Sequence, residues 1–278
     1  MTAKLLPLLP RHHTYVEPFG GGASLLFAKT PAPVEVYNDI DKGLVNFFRC
    51  LRDRDGFREI RRLARLTPYS RAEWNAARET WRDETDPIRR AFLWFVVARM
   101  SFSGSFGASW ASAVTASGRG MAGTVSKWLT TLGELGRVHR RLMRVQIECA
   151  DWRVILDRYD TPETLMYCDP PYVHGTRSAG GYAHEMTDAD HAELVQRLIG
   201  LKGTAVLSGY ANEAYARLEA AGWGRIDWRT ACHAAARTRA TGILGTGASR
   251  RMQSRIESVW LSPKGGAGGP LFEEATDG

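Results

Sequence analysis

The chain has 278 residues, of which 44% are hydrophobic, 24% charged and 10% aromatic. This composition is typical of a globular protein and excludes collagen-like, fibrous-repeat and wholly disordered chains. The 37 basic and 30 acidic residues give a formal net charge of +7, which permits a nucleic-acid partner without requiring one.

Neither end of the chain nor its interior suggests a membrane or a metal. Residues 1–10 are too short and too interrupted by proline for a secretory signal. The apolar run at 91–98 falls far short of the roughly 20 residues that cross a bilayer. The cysteines show no paired spacing, so neither a zinc site nor a disulfide is expected. We therefore expect a cytoplasmic protein without metal, monomeric by default. The cysteines are Cys50, Cys149, Cys168 and Cys232.

The first fifty residues alternate between strand and helix. A strand at Thr14–Glu17 is followed by a glycine loop at 18–22 and a helix over 23–29. A second strand at 34–37 ends in an acidic segment at 38–41, and a helix with apolar residues at helical spacing follows. This order is the opening of a doubly wound α/β sheet.

Residues 52–149 lack this alternation and predict an inserted, mostly helical region. An arginine-rich helix covers 52–66, and Ser70 is placed to cap a second helix. Asp86-Pro87 opens a third helix, over 88–100. The stretch 101–125 is rich in Ser, Gly and Ala and predicts a long loop or hairpin, after which 127–142 is helical again.

The α/β pattern then returns over 150–263, which together with 1–51 forms one discontinuous domain. Residues 264–278 are expected to be disordered. The predicted elements are a strand at 165–168, a glycine-containing loop at 174–183, a helix from Thr187 or Asp188 to Leu201, a strand at 205–207, a helix at 213–221 ended by Gly222, a basic region with glycine-rich turns at 225–255, and a strand at 256–261.

The glycine loop predicts a nucleoside ligand. Three consecutive glycines after a strand let a ligand approach the backbone closely. A dinucleotide fingerprint would require glycine where Leu25 stands. Asp39, at the end of the next strand, can accept hydrogen bonds from both hydroxyls of a ribose. A ribose-bearing ligand without pyrophosphate, such as S-adenosylmethionine, fits better. The alternative is a tight turn with a helix-capping acid.

The segment Asp169-Pro170-Pro171-Tyr172 is the most specific pattern in the chain. Two prolines fix φ and remove two N–H donors, so the carbonyls there are expected to point outward as acceptors. A carboxylate, a carbonyl and an aromatic ring at one strand end suit an exocyclic amine and its ring. Adenine N6 fits, because Asp169 and the Pro170 carbonyl can each accept one of its hydrogens. The alternative is a rigid Pro-Pro turn capped by Asp169.

Together these patterns resemble the Dam-type (D12 class) DNA adenine-N6 methyltransferases over about residues 15–263. The shared segments occur in the family's order. They are Val16-Glu-Pro-Phe-Gly-Gly-Gly-Ala-Ser24, Tyr37-Asn-Asp-Ile-Asp41, Arg99-Met-Ser-Phe-Ser-Gly104, Asp169-Pro-Pro-Tyr172, Leu207-Ser-Gly-Tyr210 and Glu257-Ser-Val-Trp260.

The resemblance implies a Rossmann-like methyltransferase sheet with helices on both faces and an inserted target-recognition region. It also implies S-adenosylmethionine as cofactor and double-stranded DNA as partner. Asp169, Pro170 and Tyr172 would hold a flipped adenine. The cofactor residues would be Glu17, Phe19, Gly20, Gly21, Gly22, Asp39, Ile40 and Asp169. The candidate DNA contacts are Arg99, Ser103, Arg119, Tyr182, Arg237 and Arg239, with Arg250 and Arg251 as further basic candidates.

Two alternatives to a DNA methyltransferase stay open at this point. RNA adenine methyltransferases use the same tetrapeptide, so RNA is a possible substrate. The family usually carries an aromatic-x-Gly-Gly-Lys segment, whereas residues 1–10 resemble the helix that follows it, so Lys4 is not equated with that lysine. A DNA-binding protein with impaired cofactor binding is therefore the second alternative.

Overall fold

A computed structural model describes residues 1–102, 105–114, 119–171, 185–231 and 254–263. Within these ranges the chain forms one seven-stranded sheet flanked by helices. The strands are β1 Thr14–Glu17, β2 Val34–Asn38, β3 Gln146–Glu148, β4 Thr164–Cys168, β5 Thr204–Gly209, β6 Gly224–Ala231 and β7 Ser254–Leu261. The helices are α1 Thr2–Leu5, α2 Ser24–Ala28, α3 Lys42–Arg52, α4 Arg54–Leu66, α5 Arg71–Thr80, α6 Pro87–Met100, α7 Gly123–Leu142, α8 Trp152–Tyr159, α9 Asp188–Gly200 and α10 Glu213–Ala220, with a 3₁₀ turn at Leu6–Leu8.

The sheet order is β3-β2-β1-β4-β5-β7-β6. Strands β1 to β5 are parallel, and β7 lies antiparallel between β5 and β6. All five residues of β4 are buried, because helices cover both faces of a doubly wound sheet. The expectation of a Rossmann-like α/β fold with helices on both faces is confirmed.

Local capping explains where most of the helices begin. Asp41 accepts the N–H groups of Gly43 and Leu44 at the start of α3, and Thr187 forms a capping box with Asp190 at the start of α9. Gly222, with φ +84°, ends α10 as predicted. The remaining capping side chains are Asp53, Ser70, Asp86, Asp151 and Asn212.

Three elements were not predicted from the sequence. Strand β3 is only three residues long and pairs with β2 at the sheet edge, so a sheet strand lies inside the range assigned to the insert. Helix α8 follows directly. Strand β6 pairs along its whole length with β7, although its arginines suggested a basic loop. Helix α7 also starts at Gly123 rather than 127, so the predicted loop 101–125 ends earlier.

The helices between β2 and β3 share one hydrophobic core with the sheet. Phe47 of α3, Phe95 of α6 and Trp128 of α7 belong to the same buried cluster as Tyr37 of β2 and Leu165 of β4. A second cluster covers the other face of the sheet, around Met166, Leu194 and Trp260. The helical region is thus packed directly against the part of the sheet that contains β2 and β4.

A buried ion-pair network ties α7 to the amino end of β2. The Glu35 side chain has no solvent exposure and is paired with Lys29 and Arg141. Arg141 also donates to the carbonyl of Leu26 in α2. Losing one partner of such a network would leave an uncompensated buried charge, which typically costs about 3–5 kcal/mol. The network therefore holds α7 to the amino end of β2 and to α2.

Candidate active site

The strand order reverses between β1 and β4, and the candidate residues lie at the carboxyl ends of these two strands. The register pairs Thr14 with Thr164 and Val16 with Met166. The same offset brings residues 17–19 beside 167–169. Open α/β sheets bind ligands in the crevice at such a reversal. Parallel pairing of β1 and β4 therefore brings Asp169 to the same sheet edge as the glycine loop, although Asp169 comes 147 positions after Gly22 in the chain.

Asp169 presents an exposed carboxylate at the end of β4. Its Oδ1 accepts a hydrogen bond of 2.8 Å from the Ser208 hydroxyl. Desolvation raises the pKa of Asp169 to about 6; the Ser208 hydrogen bond opposes this rise and the Glu257 carboxylate adds to it. Pro170, the next residue, is buried.

Glu17 is a second carboxyl group at the same edge, and it faces inward. It is 2% exposed, and its Oε1 accepts hydrogen bonds from the Tyr15 hydroxyl at 2.7 Å and the Leu26 amide at 2.9 Å. Burial raises the pKa of Glu17 to about 7, and the negative charge of Asp169 contributes to the rise. Glu17 therefore joins β1 to α2 beneath the glycine loop.

The glycine loop is fixed by the end of β2. Gly20 donates its amide hydrogen to the carbonyl of Asn38 at 2.7 Å. Gly21 donates to Asp39 Oδ2 at 2.8 Å, and its carbonyl accepts the Tyr37 hydroxyl at 2.8 Å. Asp39 Oδ1 accepts the amide hydrogen of Asp41 at 2.8 Å. Asp39, predicted to bind a ribose, thus also positions the loop.

Two backbone positions in the loop are unusual. A Cβ on Gly20 would lie 2.1 Å from the Tyr37 ring and 2.9 Å from the Asn38 carbonyl, so no side chain fits there. Ala23 is the one non-glycine residue with positive φ in the described chain, at +52°, a conformation that strains L residues. The loop is therefore tightly packed against β2 and strained where it enters α2.

Asn38 is a positioning residue for which the sequence pattern predicted no role. It is 1% exposed. Its Nδ2 donates to the carbonyls of Pro18 and Ala150, at 2.8 and 3.0 Å, and its Oδ1 accepts the Ala150 amide hydrogen at 2.9 Å. One amide thereby joins the glycine loop to the turn between β3 and α8. Its only sequence signal was its place in the segment 37–41, next to Asp39.

The other predicted cofactor residues lie around this loop. Phe19 is half-buried and packs on Trp152 of α8, with ring centroids 5.9 Å apart. Ile40 is 46% exposed beside the half-buried Asp39. Gly22 has open space around its Cα, since a Cβ there would find no atom closer than 3.9 Å. The sheet edge therefore brings all the predicted cofactor residues into one neighbourhood.

The predicted DNA contacts are only partly covered by the structure. Arg99 is exposed at the end of α6, and its Nη2 donates to Thr131 of α7 at 2.8 Å. Arg119 is exposed just before α7. The remaining predicted residues lie outside the described ranges, and their assignments stay predictions. These are Tyr172, Ser103, Tyr182, Arg237, Arg239, Arg250 and Arg251.

A groove of about 500 Å³ lies elsewhere, between α4 and α7, and is lined by Arg61, Arg65 and Arg140 among others. It includes none of the predicted site residues. The described ranges contain no cluster of His, Cys, Asp or Glu suited to a metal ion. None of the helices in those ranges combines the length and the apolar character that a membrane span needs.

The fold and site define an α/β protein with a triple-glycine loop beside an acceptor-rich strand end. A family model described as D12 class N6 adenine-specific DNA methyltransferase matches residues 2–215, and the chain belongs to this family. It is thus an enzyme of adenine-N6 methylation. No significant match was found among curated proteins. A crystal structure provisionally described as the RNA methyltransferase PH1948 from Pyrococcus horikoshii is similar with a TM-score of 0.36 and 8% identity, covering 94% of this chain and 81% of that one.

Proposed function

We propose that this protein transfers a methyl group from S-adenosylmethionine to N6 of an adenine extruded from a specific sequence in double-stranded DNA. The observation that carries the proposal is the pairing of β1 with β4. This pairing supports the proposal because it brings the end of β4, where Asp169 follows, next to the end of β1, where the glycine loop follows, and open sheets of this class bind ligands at such a crevice.

The residues at the ends of β1 and β2 fit the cofactor. A Cβ on Gly21 would meet no atom within 4 Å, so the loop backbone is open to a ligand on that side. Asp39 offers carboxylate oxygens for ribose hydroxyls, and exposed Ile40 offers an apolar surface for a base. We assign the cofactor to the loop 19–22 with Asp39 and Ile40, and Glu17 supports the loop from below. When bound, S-adenosylmethionine supplies an electrophilic methyl group without a metal.

Asp169 and the Pro170 carbonyl make adenine N6 a better nucleophile in this proposal. The N6 lone pair is delocalised into the ring, and two acceptors for its hydrogens favour a localised lone pair. A hydrogen bond to a charged acceptor contributes roughly 1.5–3 kcal/mol. Alignment of the amine with the methyl group supplies the larger share, up to roughly 7–11 kcal/mol. Tyr172 is assigned, by family resemblance, to stack on the adenine.

The protonation state of Asp169 suits both parts of this task. With a pKa of about 6, the carboxylate is mostly ionised at neutral pH and can accept hydrogen bonds from the amine. The same value lets it take up the surplus proton after transfer, because the methylated amine is a strong acid before it loses that proton. Solvent exposure of the side chain then gives the proton a route to water.

DNA must present the adenine outside the helix, since the atom to be methylated is inaccessible in a duplex. Extrusion costs a few kcal/mol, which contacts to the phosphate backbone can offset. Arg99 is a candidate for such a contact, because Thr131 holds its guanidinium at the junction of α6 and α7 while the group stays exposed. Arg119 is the second described candidate.

The test is methyl transfer from isotope-labelled S-adenosylmethionine to duplex DNA and to RNA of matched sequence. We expect label in DNA, at N6 of adenine. Asp169→Asn should abolish transfer while leaving cofactor binding by calorimetry nearly unchanged, since the variant keeps the shape but loses one acceptor and the charge. Label found in RNA alone would show that RNA, and not DNA, is the substrate. DNA binding without cofactor affinity would reject the enzymatic proposal.

A further inference from the structure

A buried hydroxyl lies behind the candidate catalytic carboxylate. Ser208, on β5, is 6% exposed, and its Oγ is 2.8 Å from Asp169 Oδ1. The Tyr167 hydroxyl, on β4, lies 3.1 Å from the same Oγ and belongs to a side chain that is 7% exposed. Three side chains from two neighbouring strands therefore form a short polar chain that ends at Asp169.

The direction of the hydrogen bonds follows from counting donors. A serine hydroxyl has one hydrogen to donate and two lone pairs. An ionised Asp169 can only accept hydrogen bonds, so Ser208 must donate its one hydrogen to Oδ1. The Cys168 carbonyl, 3.4 Å from Ser208 Oγ, then receives no hydrogen bond from this hydroxyl. Tyr167, whose hydroxyl faces a lone pair of Ser208, becomes the donor to it. The order is Tyr167 to Ser208 to Asp169.

We propose that Ser208, held by Tyr167, is a positioning residue that fixes the Asp169 carboxylate through Oδ1 and reserves Oδ2 for the substrate amine. Among the residues that the structure describes, none donates a hydrogen bond to Oδ2. This inference rests on the proposed function, and it adds a specific task for two residues outside the Asp-Pro-Pro-Tyr segment.

Two consequences follow for Asp169. A carboxylate held at one oxygen cannot rotate freely about its last side-chain bond, so the other oxygen keeps a defined direction. The hydrogen bond also favours the ionised form, against the desolvation that disfavours it. Without Ser208, the carboxylate should therefore be both less ordered and more readily protonated.

Other titratable groups face the same carboxylate and would be unchanged in the variants. They are Glu17 on β1, Cys168 on β4, Glu257 on β7 and Tyr215 on α10. Glu257 disfavours the ionised form of Asp169 by charge repulsion, whereas the charge of Asp169 acts on Glu17 and raises the pKa of Glu17. Because this background stays constant, a difference between the wild type and a Ser208 variant reports on the hydroxyl alone.

The experiment is a carbon-13 NMR titration of the aspartate carboxyl groups in the full chain, with Asp169 assigned from the Asp169→Asn spectrum. Ser208→Ala should raise the pH at which Asp169 titrates by about one pH unit, as expected for loss of a charge-assisted hydrogen bond. Ser208→Thr, which keeps a hydroxyl, should restore the wild-type titration. Thr204→Val, on the same strand but at its amino end, is the matched control and should leave Asp169 unchanged.

Tyr167→Phe tests the order of the chain and preserves the ring. It should raise the titration point of Asp169 by less than Ser208→Ala does, and it should have no effect once Ser208 is already alanine, because the two residues act in series. An unchanged titration in Ser208→Ala, or equal and additive shifts in the double variant, would overturn the proposal.

Turnover provides the second measurement. The acidic limb of the rate profile for methyl transfer should move to higher pH in Ser208→Ala, by the same amount as the NMR titration. Failure of the wild type to methylate DNA would reject the proposed function. The NMR comparison would still decide whether Ser208 and Tyr167 control Asp169, so the two failures are distinguishable.

Discussion

Gly20 is the position where the structure predicts the sharpest effect of a single methyl group. In Gly20→Ala the new Cβ would lie 2.1 Å from Tyr37 Cε2, 2.5 Å from Cδ2 and 2.9 Å from the Asn38 carbonyl. Tyr37 has no solvent exposure, and its ring packs edge-on against Phe48 at 5.0 Å. Neither neighbour can move away without disturbing the core of the sheet.

The expected cost follows from this crowding. Inserting a methyl group into a well-packed site typically costs about 1–3 kcal/mol, and contacts this short, against a backbone carbonyl and a confined ring, favour the upper half of that range. Relief requires the loop to shift away from β2, which would break the hydrogen bonds that Gly21 makes with Asp39 and Tyr37. We therefore expect cofactor affinity to fall at least about tenfold, which corresponds to about 1.4 kcal/mol.

Gly22→Ala is the matched control, because its Cβ would meet nothing nearer than 3.9 Å and the φ of Gly22 is not positive. Its stability should change by less than about 0.5 kcal/mol. Urea unfolding measures the stability of both variants, and calorimetry measures cofactor binding. Equal unfolding midpoints and equal affinities for Gly20→Ala and wild type would refute the reasoning. A large affinity loss in Gly22→Ala alone would identify that position as a direct ligand contact.

Three further predictions concern the same edge of the sheet. The folded-state pKa of Glu17 is raised from 4.5 to about 7. The protonated side chain therefore contributes fully to the free energy of unfolding below pH 4.5, and this contribution is lost as the pH rises through 7. Glu17→Gln should therefore flatten the pH dependence of the urea midpoint in this window and raise the free energy of unfolding at pH 8 by at most about 3 kcal/mol. An unaltered pH dependence would contradict the raised pKa. Ala23→Gly should stabilise the folded protein by up to about 1 kcal/mol in thermal unfolding, because strain at φ +52° exceeds the entropic cost of glycine. A clear loss of stability in this variant would show the strain to be absent. Asn38→Ala should lower the free energy of unfolding by about 2–4 kcal/mol in urea and weaken cofactor binding, since it leaves the buried Pro18 carbonyl and the half-buried Ala150 carbonyl without their partner. Wild-type stability together with wild-type cofactor affinity would show that Asn38 does not support the loop.

Local patterns were sufficient for the elements that carry strong signals. The strands around Val16, Val36 and Met166 are runs of apolar or β-branched residues, and Asp86, Ser70 and Thr187 are capping residues before helical periodicity. Such features act through neighbouring residues and are readable without a fold. The missed helix α8 had the same kind of signal, with Asp151 as cap and apolar residues at helical spacing after it.

The missed strands show where local patterns are insufficient. Strand β3 is three residues at a sheet edge, too short to have a detectable period, and only its pairing with β2 makes it a strand. In β6, apolar Ile226 and Trp228 alternate with charged Arg225, Asp227 and Arg229. The alternation was present, but the number of arginines suggested a basic loop. Pairing with β7 decided the conformation.

The residue types of the candidate site were determined by the sequence, because chemistry depends on which groups are present: three consecutive glycines after one strand, a carboxylate after the next, and an acceptor-rich turn at Asp169. Their arrangement was decided by the tertiary structure. Only the order of strands places β1 beside β4, and only the folded surroundings raise the pKa values of Glu17 and Asp169. The supports Asn38, Ser208 and Tyr167 act through contacts between strands or turns, and no pattern along the chain records which strands are neighbours.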